Sequence, residues 1–244
     1  DSQAFPQLIK IIFLINRYLM NIATIIQARM NSSRLPRKVL KYINKKPILE
    51  YIIDQIKYKN YGMPIIVATS KEHADKEIIS YCIKNNINYY AGDLVNVSSR
   101  FKDLIKFYDL DYFIRVCADS PLLDGDLIKN ALTYLSEKVD LITNIMPRTF
   151  PKGQSVEVVK CDTFKLNYEK FESEEDFEHV TRYFYKNNKS FNIVNIKNNE
   201  DFSSINLAID TKHDFERISR IIANFEKNHF DYTHKDLIKF YLNN

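Results

Sequence analysis

Four cations fall within ten residues of this chain: Arg29, Arg34, Arg37 and Lys38, with Ser32, Ser33 and Pro36 set among them. Guanidinium and ammonium groups at that density suit a polyphosphate, because each arginine can engage two oxygens at once. A basic loop that only faces water is the plain alternative. Further along, Arg115, Asp119 and Ser120 stand at or just past the end of an apolar run that Pro121 breaks. A carboxylate placed there is a natural Mg²⁺ ligand, since proteins hold that ion through one or two carboxylates plus substrate phosphates. It could equally cap the next helix. Asp210 closes the alternating run Ile205, Leu207, Ile209, so both aspartates are expected at strand ends.

The elements that must carry these groups are legible from periodicity. Ile22 to Ile26 is continuous, apolar and β-branched, as in a strand buried on both faces of a parallel sheet, so the basic loop leaves a strand's carboxyl end, where open α/β sheets bind ligands. Ile48, Leu49, Ile52, Ile53 and Ile56 recur at helical spacing, with Pro47 in the first turn. Strands follow over 64–70, 88–91, 112–117 and 140–144, with a half-exposed one over 154–159, and a helix carries Ile78, Ile79, Cys82 and Ile83. Further helices are expected over 126–135, from Ser173 as a capping-box residue through Tyr183, after Thr211, and over 230–242. This alternation predicts a parallel, right-handed, doubly wound sheet.

At 244 residues, 45% hydrophobic and 27% charged, the chain can bury a full core in one large domain. Thirty-five basic against thirty-one acidic residues, spread along the chain, fit a cytoplasmic enzyme better than a nucleic-acid binder. Cys82, Cys117 and Cys161 are too widely spaced for a zinc motif and read as buried small side chains. The apolar run Ile11 to Ile15 is too short to span a bilayer, and the segment lacks a signal-peptide pattern. Met20 resembles an initiator, so residues 1–19 are read as an extension and 20–244 as the domain; a helix packed on the domain or a partner is the alternative.

The stretch Gln27, Ala28, Arg29, Met30, Ser32, Arg34, Leu35, Pro36, Lys38, Val39, Leu40 resembles the QARMxSxRLPxKVL signature of the SpsF-type spore-coat polysaccharide cytidylyltransferases, relatives of CMP-sialic acid and CMP-Kdo synthetases. Asn31 and Arg37 depart from it, standing where the family usually has glycine. The likeness continues at R-x-x-A-D-x-P-L from Arg115, at the Q-S-V-E-V segment from Gln154, at E-H-V-T-R-Y from Glu178, with Arg182 in place of proline, and at A-I-D-T-x-x-D from Ala208. It implies an α/β nucleotidyltransferase with a Rossmann-like, mixed and mostly parallel sheet, helices on both faces and a small acceptor or dimer lobe, which joins CMP from CTP to an acidic or amino-modified sugar and releases pyrophosphate. The implied catalytic residues are Arg29, Lys38, Asp119 and Asp210, with Mg²⁺ on the two aspartates. Gln27, Ala28, Arg29, Ser32, Ser33, Arg34, Lys38, Arg100 and Arg115 would bind the nucleotide; Arg148, Gln154, Glu157 and His179 would face the acceptor. A homodimer through 150–185 is implied, with no nucleic-acid or membrane partner. Asp214 is read as an early helix charge.

Two other classes compete. A transferase using another nucleotide and a sugar phosphate usually begins with a glycine-rich L-A-A-G-x-G-x-R loop or carries D-x-D, and neither stands in the expected place. A nucleotide-binding regulatory protein without catalysis is suggested by the two lost glycines, and opposed by retention of both aspartates and Lys38.

Overall fold

A computed structural model describes residues 20–59 and 62–243; the reading of 1–19 lies outside them. The first strand, β1 (Ile22–Gln27), is buried as its β-branched run requires. After the basic loop comes a hairpin of β2 (Tyr42–Ile43) and β3 (Lys46–Pro47), so Pro47 ends a hairpin strand and helix α1 (Ile48–Lys59) starts one residue later than its sequence suggested. Then follow β4 (Ile65–Ser70), α2 (Lys76–Lys84), the edge strand β5 (Asn88–Gly92), α3 (Val97–Phe107) and the central β6 (Tyr112–Cys117). Asn96 caps α3 by accepting from the Ser99 amide at 2.7 Å. Of the apolar positions expected to face the core from α2, Ile78 and Cys82 do so, while Ile83 is exposed.

The second half is more irregular. Helix α4 (Gly125–Leu132) leads to β7 (Leu141–Thr143), β8 (Glu157–Lys160), α5 (Cys161–Tyr168), α6 (Glu174–Glu178), α7 (Arg182–Lys186), β9 (Ile193–Asn195), α8 (Lys212–Ala223) and α9 (His234–Leu242). Ser173 and Asp176 form the expected capping box. The single helix expected through Tyr183 is broken instead, because His179 leaves helical geometry at ψ 90° between α6 and α7. The segment Ile205–Ile209 is extended and buried at its alternate residues, yet it joins no strand of the sheet; one bridge, Lys152 to Asn206, is its pairing.

The seven-stranded sheet has the order β5-β4-β1-β6-β8-β7-β9, parallel from β5 through β6. The chain winds outward from β1 to β4 and β5, then returns to β6 on the other side of β1, which makes the carboxyl ends of β1 and β6 a switch point. β8 runs antiparallel between β6 and β7. It is buried on both faces, not half-exposed, since Glu157, Val158 and Val159 are all almost fully covered.

Three apolar clusters hold this arrangement. One fills the face under α1, α2 and α4; a second, rich in phenylalanine, fills the face under α3, α5 and α7. The third packs Leu35 of the basic loop and Ile43 of the hairpin against Leu207, Ile209 and the apolar faces of α8 and α9. It thereby ties the loop to the Asp210 segment. Cys82 and Cys161 are buried as expected, and Cys117 is mostly covered, with part of the residue reaching the surface.

Asp124 fastens α9 to the start of α4. Its carboxylate caps α4 through the Asp126 amide at 2.9 Å and accepts from the His234 amide and Nδ1 at 2.9 and 2.8 Å. Burial works to raise its pKa, but the His234 bonds outweigh it and leave the group below the ordinary carboxylate value. Asp124→Ala is expected to lower unfolding stability by about 2 kcal/mol or more. The wild-type contribution is present above the ordinary carboxylate pKa and lost as pH falls through the depressed one. Thermal unfolding between neutral pH and pH 3 should therefore show a steeper acid loss in wild type than in Asp124→Asn.

Candidate functional site

A cavity of about 200 Å³ opens at the switch point. The basic loop contributes Arg29, Ser32, Ser33, Arg34 and Lys38; Gln27 comes from the end of β1, Cys117 and Asp119 from the end of β6, and Asp210 from the extended segment. Arg100 reaches it from α3. Seven of the nine residues expected to bind nucleotide therefore line one cavity, together with both aspartates.

The most constrained group in it is Lys38. Its Nζ donates to Asp119 Oδ2 at 3.0 Å, to Asp210 Oδ1 at 3.0 Å and to the Ile209 carbonyl at 2.8 Å. Burial alone would lower its pKa, but the two carboxylates hold it above the ordinary lysine value. Ile209 N–H in turn donates to the Asp119 carbonyl at 2.8 Å, which locks the two aspartate-bearing segments side by side. Asp210 therefore meets Asp119 through an irregular extended chain and not from a sheet strand. Arg34 adds a partner to Asp210 at 3.1 Å.

The loop cations are all paired with carboxylates. Arg29 Nη2 lies 3.3 Å from Glu178 Oε1, at the end of α6. Arg37 pairs with Glu77 and is absent from the cavity lining, so a phosphate contact through it is not what the structure places there. Arg37 also occupies the left-handed region at φ 62°, a conformation costing an L residue about 1–2 kcal/mol. That explains why glycine suits this position in the resembling signature, whereas Asn31 is not among the residues with positive φ.

Several expected contacts are turned inward instead. Ala28 is buried in the core. Arg115 sits directly opposite Glu157 in the β6–β8 register and donates to its carboxylate and, at 3.2 and 3.0 Å, to Gln27 Oε1. It is thus a structural partner, not a cavity cation. Glu157 is 1% exposed, and its other oxygen accepts from Thr181 Oγ1 at 2.6 Å and from the Tyr185 hydroxyl. Burial, then Glu157 itself, pushes the Tyr185 phenol well above its ordinary pKa. Gln154 is fully buried and bonds the Asp124 amide at 2.8 Å and the Leu122 carbonyl at 2.6 Å. Neither Gln154 nor Glu157 has surface left for an acceptor. Their sequence alternation mimicked a half-exposed strand because the buried partners lie far away in the chain.

Arg148 behaves differently. Its Nη1 donates to Ser155 Oγ at 3.0 Å, and among the described residues its Nε and Nη2 meet no acceptor. Burial lowers its pKa, against the pull of Glu157 and Tyr185 nearby. His179 is exposed at the break between α6 and α7. Arg100 is 1% exposed and spends its guanidinium on the carbonyls of Asp93, Leu94 and Ala68; burial brings its pKa down to about 10. It supports the wall more than it presents a charge.

Sequence reasoning missed Cys117, Glu178 and Tyr185. Cys117 stands two residues after Arg115, a spacing that could have signalled it; burial pushes its thiol up to about 11, so it is neutral near pH 7. Glu178 opens the E-H-V-T-R-Y segment, but nothing local tied it to Arg29. Tyr185, one of sixteen tyrosines, carries no signal of its own.

Among the described residues, no group of three or more His, Cys, Asp or Glu side chains could hold a metal. Two facing carboxylates already neutralised by an ammonium are, however, the hard-oxygen pair that Mg²⁺ uses when phosphates complete its shell. The lysine nitrogen is a stand-in cation there, and the donor set fits.

A family model described as cytidylyltransferase matches residues 23–237. A protein of Methanocaldococcus jannaschii is 31% identical over 89% of this chain and 88% of its own length. The spore coat polysaccharide biosynthesis protein SpsF of Bacillus subtilis is 28% identical over 82% of this chain and 86% of its own. A solved cytidylyltransferase from Leptospira borgpetersenii superposes with a TM-score of 0.85 at 26% identity, covering 90% of this chain and 93% of that one.

Because breaking a buried pair strands the remaining charge, Glu157→Gln is expected to cost about 3–5 kcal/mol in unfolding stability through Arg115. Thermal melts should show that loss with no nucleotide or sugar present; a variant with wild-type stability and only a raised KM for the sugar would restore Glu157 as an acceptor contact.

Proposed function

The chain belongs to the cytidylyltransferase family, and from that premise we propose that it transfers CMP from CTP to an acidic or amino-modified sugar in a Mg²⁺-dependent reaction, releasing pyrophosphate for surface-glycan synthesis. Nucleotidyltransferase activity follows from the family. One observation carries the finer reading: the basic loop closes over Asp119 and Asp210 in one cavity at the switch point of the sheet.

In this reading Arg29, Arg34 and Lys38 receive the triphosphate. Each is now paired with a carboxylate, so phosphate oxygens would replace Glu178, Asp210 and Asp119 as their partners. The displacement at the α-phosphorus asks little covalent chemistry of the protein, and the loop's contribution is charge and alignment, worth most on the departing pyrophosphate. Asp119 and Asp210 would hold the metal ion, which when bound supplies charge neutralisation and orientation of the phosphate oxygens. Ser32 and Ser33 offer hydroxyls on the same wall. Arg148 supports the acidic class of acceptor: a half-buried guanidinium with open donors is suited to a carboxylate in the bidentate manner.

Titration calorimetry with CTP, UTP, GTP and ATP, each with and without Mg²⁺, tests the nucleotide. CTP alone should bind with a strong Mg²⁺ dependence, and pyrophosphate release against a panel of acidic sugars should identify the acceptor. Asp210→Ala and Lys38→Ala should each lower turnover by orders of magnitude while circular dichroism reports a retained fold. Equal indifference to all four nucleotides would leave the regulatory-protein reading standing.

A further inference from the structure

The loop that carries Arg29, Arg34 and Lys38 contains no glycine, yet it makes a tight turn back on itself. Its shape is closed at one residue. The Met30 carbonyl accepts both the Ser32 amide at 3.1 Å and the Arg37 amide at 2.8 Å, so residues 30–37 are pinched together at Met30. The pinch would float if nothing bound it to the sheet.

What binds it is the Asp75 carboxylate, 1% exposed, from the segment between β4 and α2. Its Oδ1 accepts the Met30 amide at 2.7 Å, and its Oδ2 accepts the Ser70 amide at 3.2 Å together with the Ser70 hydroxyl. Ser70 ends β4, so Asp75 fastens the pinch to a sheet strand. Two residues on, Glu77 pairs with Arg37, the residue held in the left-handed region at the other end of the pinch. Buried nearby, Arg100 supplies Asp75 with an opposite charge while holding the backbone of Asp93 and Leu94. Asp75 touches none of the cavity, which separates its work from that of the loop cations.

We infer that Asp75 is the positioning residue of this site: its buried carboxylate fixes the backbone of the basic loop at Met30 and so sets where Arg29, Arg34 and Lys38 stand for a nucleoside triphosphate. The inference rests on the nucleotide reading above only for its ligand. A carboxylate is required because all of its donors are N–H or O–H groups. An amide of the same size turns an NH₂ against at least one backbone N–H, and a displacement of even an ångström in the phosphate-binding groups is costly to catalysis.

The experiment combines amide hydrogen exchange with calorimetry on wild type and Asp75→Asn. In wild type, the Met30 and Arg37 amides should exchange slowly despite lying in a loop. In Asp75→Asn those two should speed up at least tenfold while amides of Ile25, Ile66 and Ile114 keep their protection. The Kd and KM for CTP should rise about tenfold or more, with kcat falling less. Should Asp75→Asn fail to fold, Ser70→Ala removes one of the carboxylate's partners and should loosen Met30 exchange by a smaller factor. Fast exchange of Met30 in wild type overturns the inference. So does an Asp75→Asn protein whose melting point drops while its loop exchange, relative to the sheet, and its CTP affinity stay unchanged. Absence of CTP binding by wild type would defeat the nucleotide reading, and the exchange data would still decide whether Asp75 shapes the loop.

Discussion

Everything at this site depends on one ammonium group placed between two carboxylates. Asp119 and Asp210 come from opposite halves of the chain, and without an intervening positive charge their proximity would be repulsive. Lys38 removes that repulsion and adds a bond to the Ile209 backbone, so one side chain joins the basic loop, the end of β6 and the extended segment. Its position is secured from behind by apolar packing of Leu35 against Leu207 and Ile209. Polar geometry at the mouth is thus inherited from a small hydrophobic cluster that lies outside both main faces of the sheet.

A second ionic hub sits deeper. The β6–β8 register brings Arg115 and Glu157 together, and Glu157 then collects Thr181 and Tyr185 from the start of α7 and from α7 itself. The sheet and this helix are joined by polar bonds in a dry place, where each partner is indispensable to the others. Arg29 and Glu178 make a separate, more exposed bridge between the basic loop and the end of α6. The α6–α7 segment is therefore held to the sheet by a buried polar set and by one more exposed bridge, where an incoming anion could compete.

The first half of the molecule was legible because buried parallel strands write themselves as β-branched runs, and because the loop after β1 concentrates its charge. The second half was less so, for identifiable reasons. Alternation at Gln154–Val159 suggested water on one side, but the polar side chains of Gln154 and Glu157 are satisfied by Asp124, Leu122 and Arg115, which no local pattern connects to them. Alternation at Ile205–Ile209 was real, and it marks packing into the third apolar cluster without a sheet partner. Helical spacing through Glu178–Tyr183 could not reveal that His179 departs from helical geometry. The role of Arg115 failed on the same ground as that of Glu157: a charged residue inside a strand declares its charge but not its counter-ion.

The order of the chain has its own consequence. Lys38 and Asp210 are separated by 172 positions, while β1, β4, β5 and β6 pair with one another entirely within residues 22–117. During synthesis from the amino terminus, the strands that cradle the loop can assemble long before the extended segment emerges. For most of that interval the ammonium has one carboxylate instead of two. Asp210 therefore reaches Lys38 only after those strands have been made, so the second carboxylate closes on a loop already in place, and the docking of α9 on Asp124 comes later still.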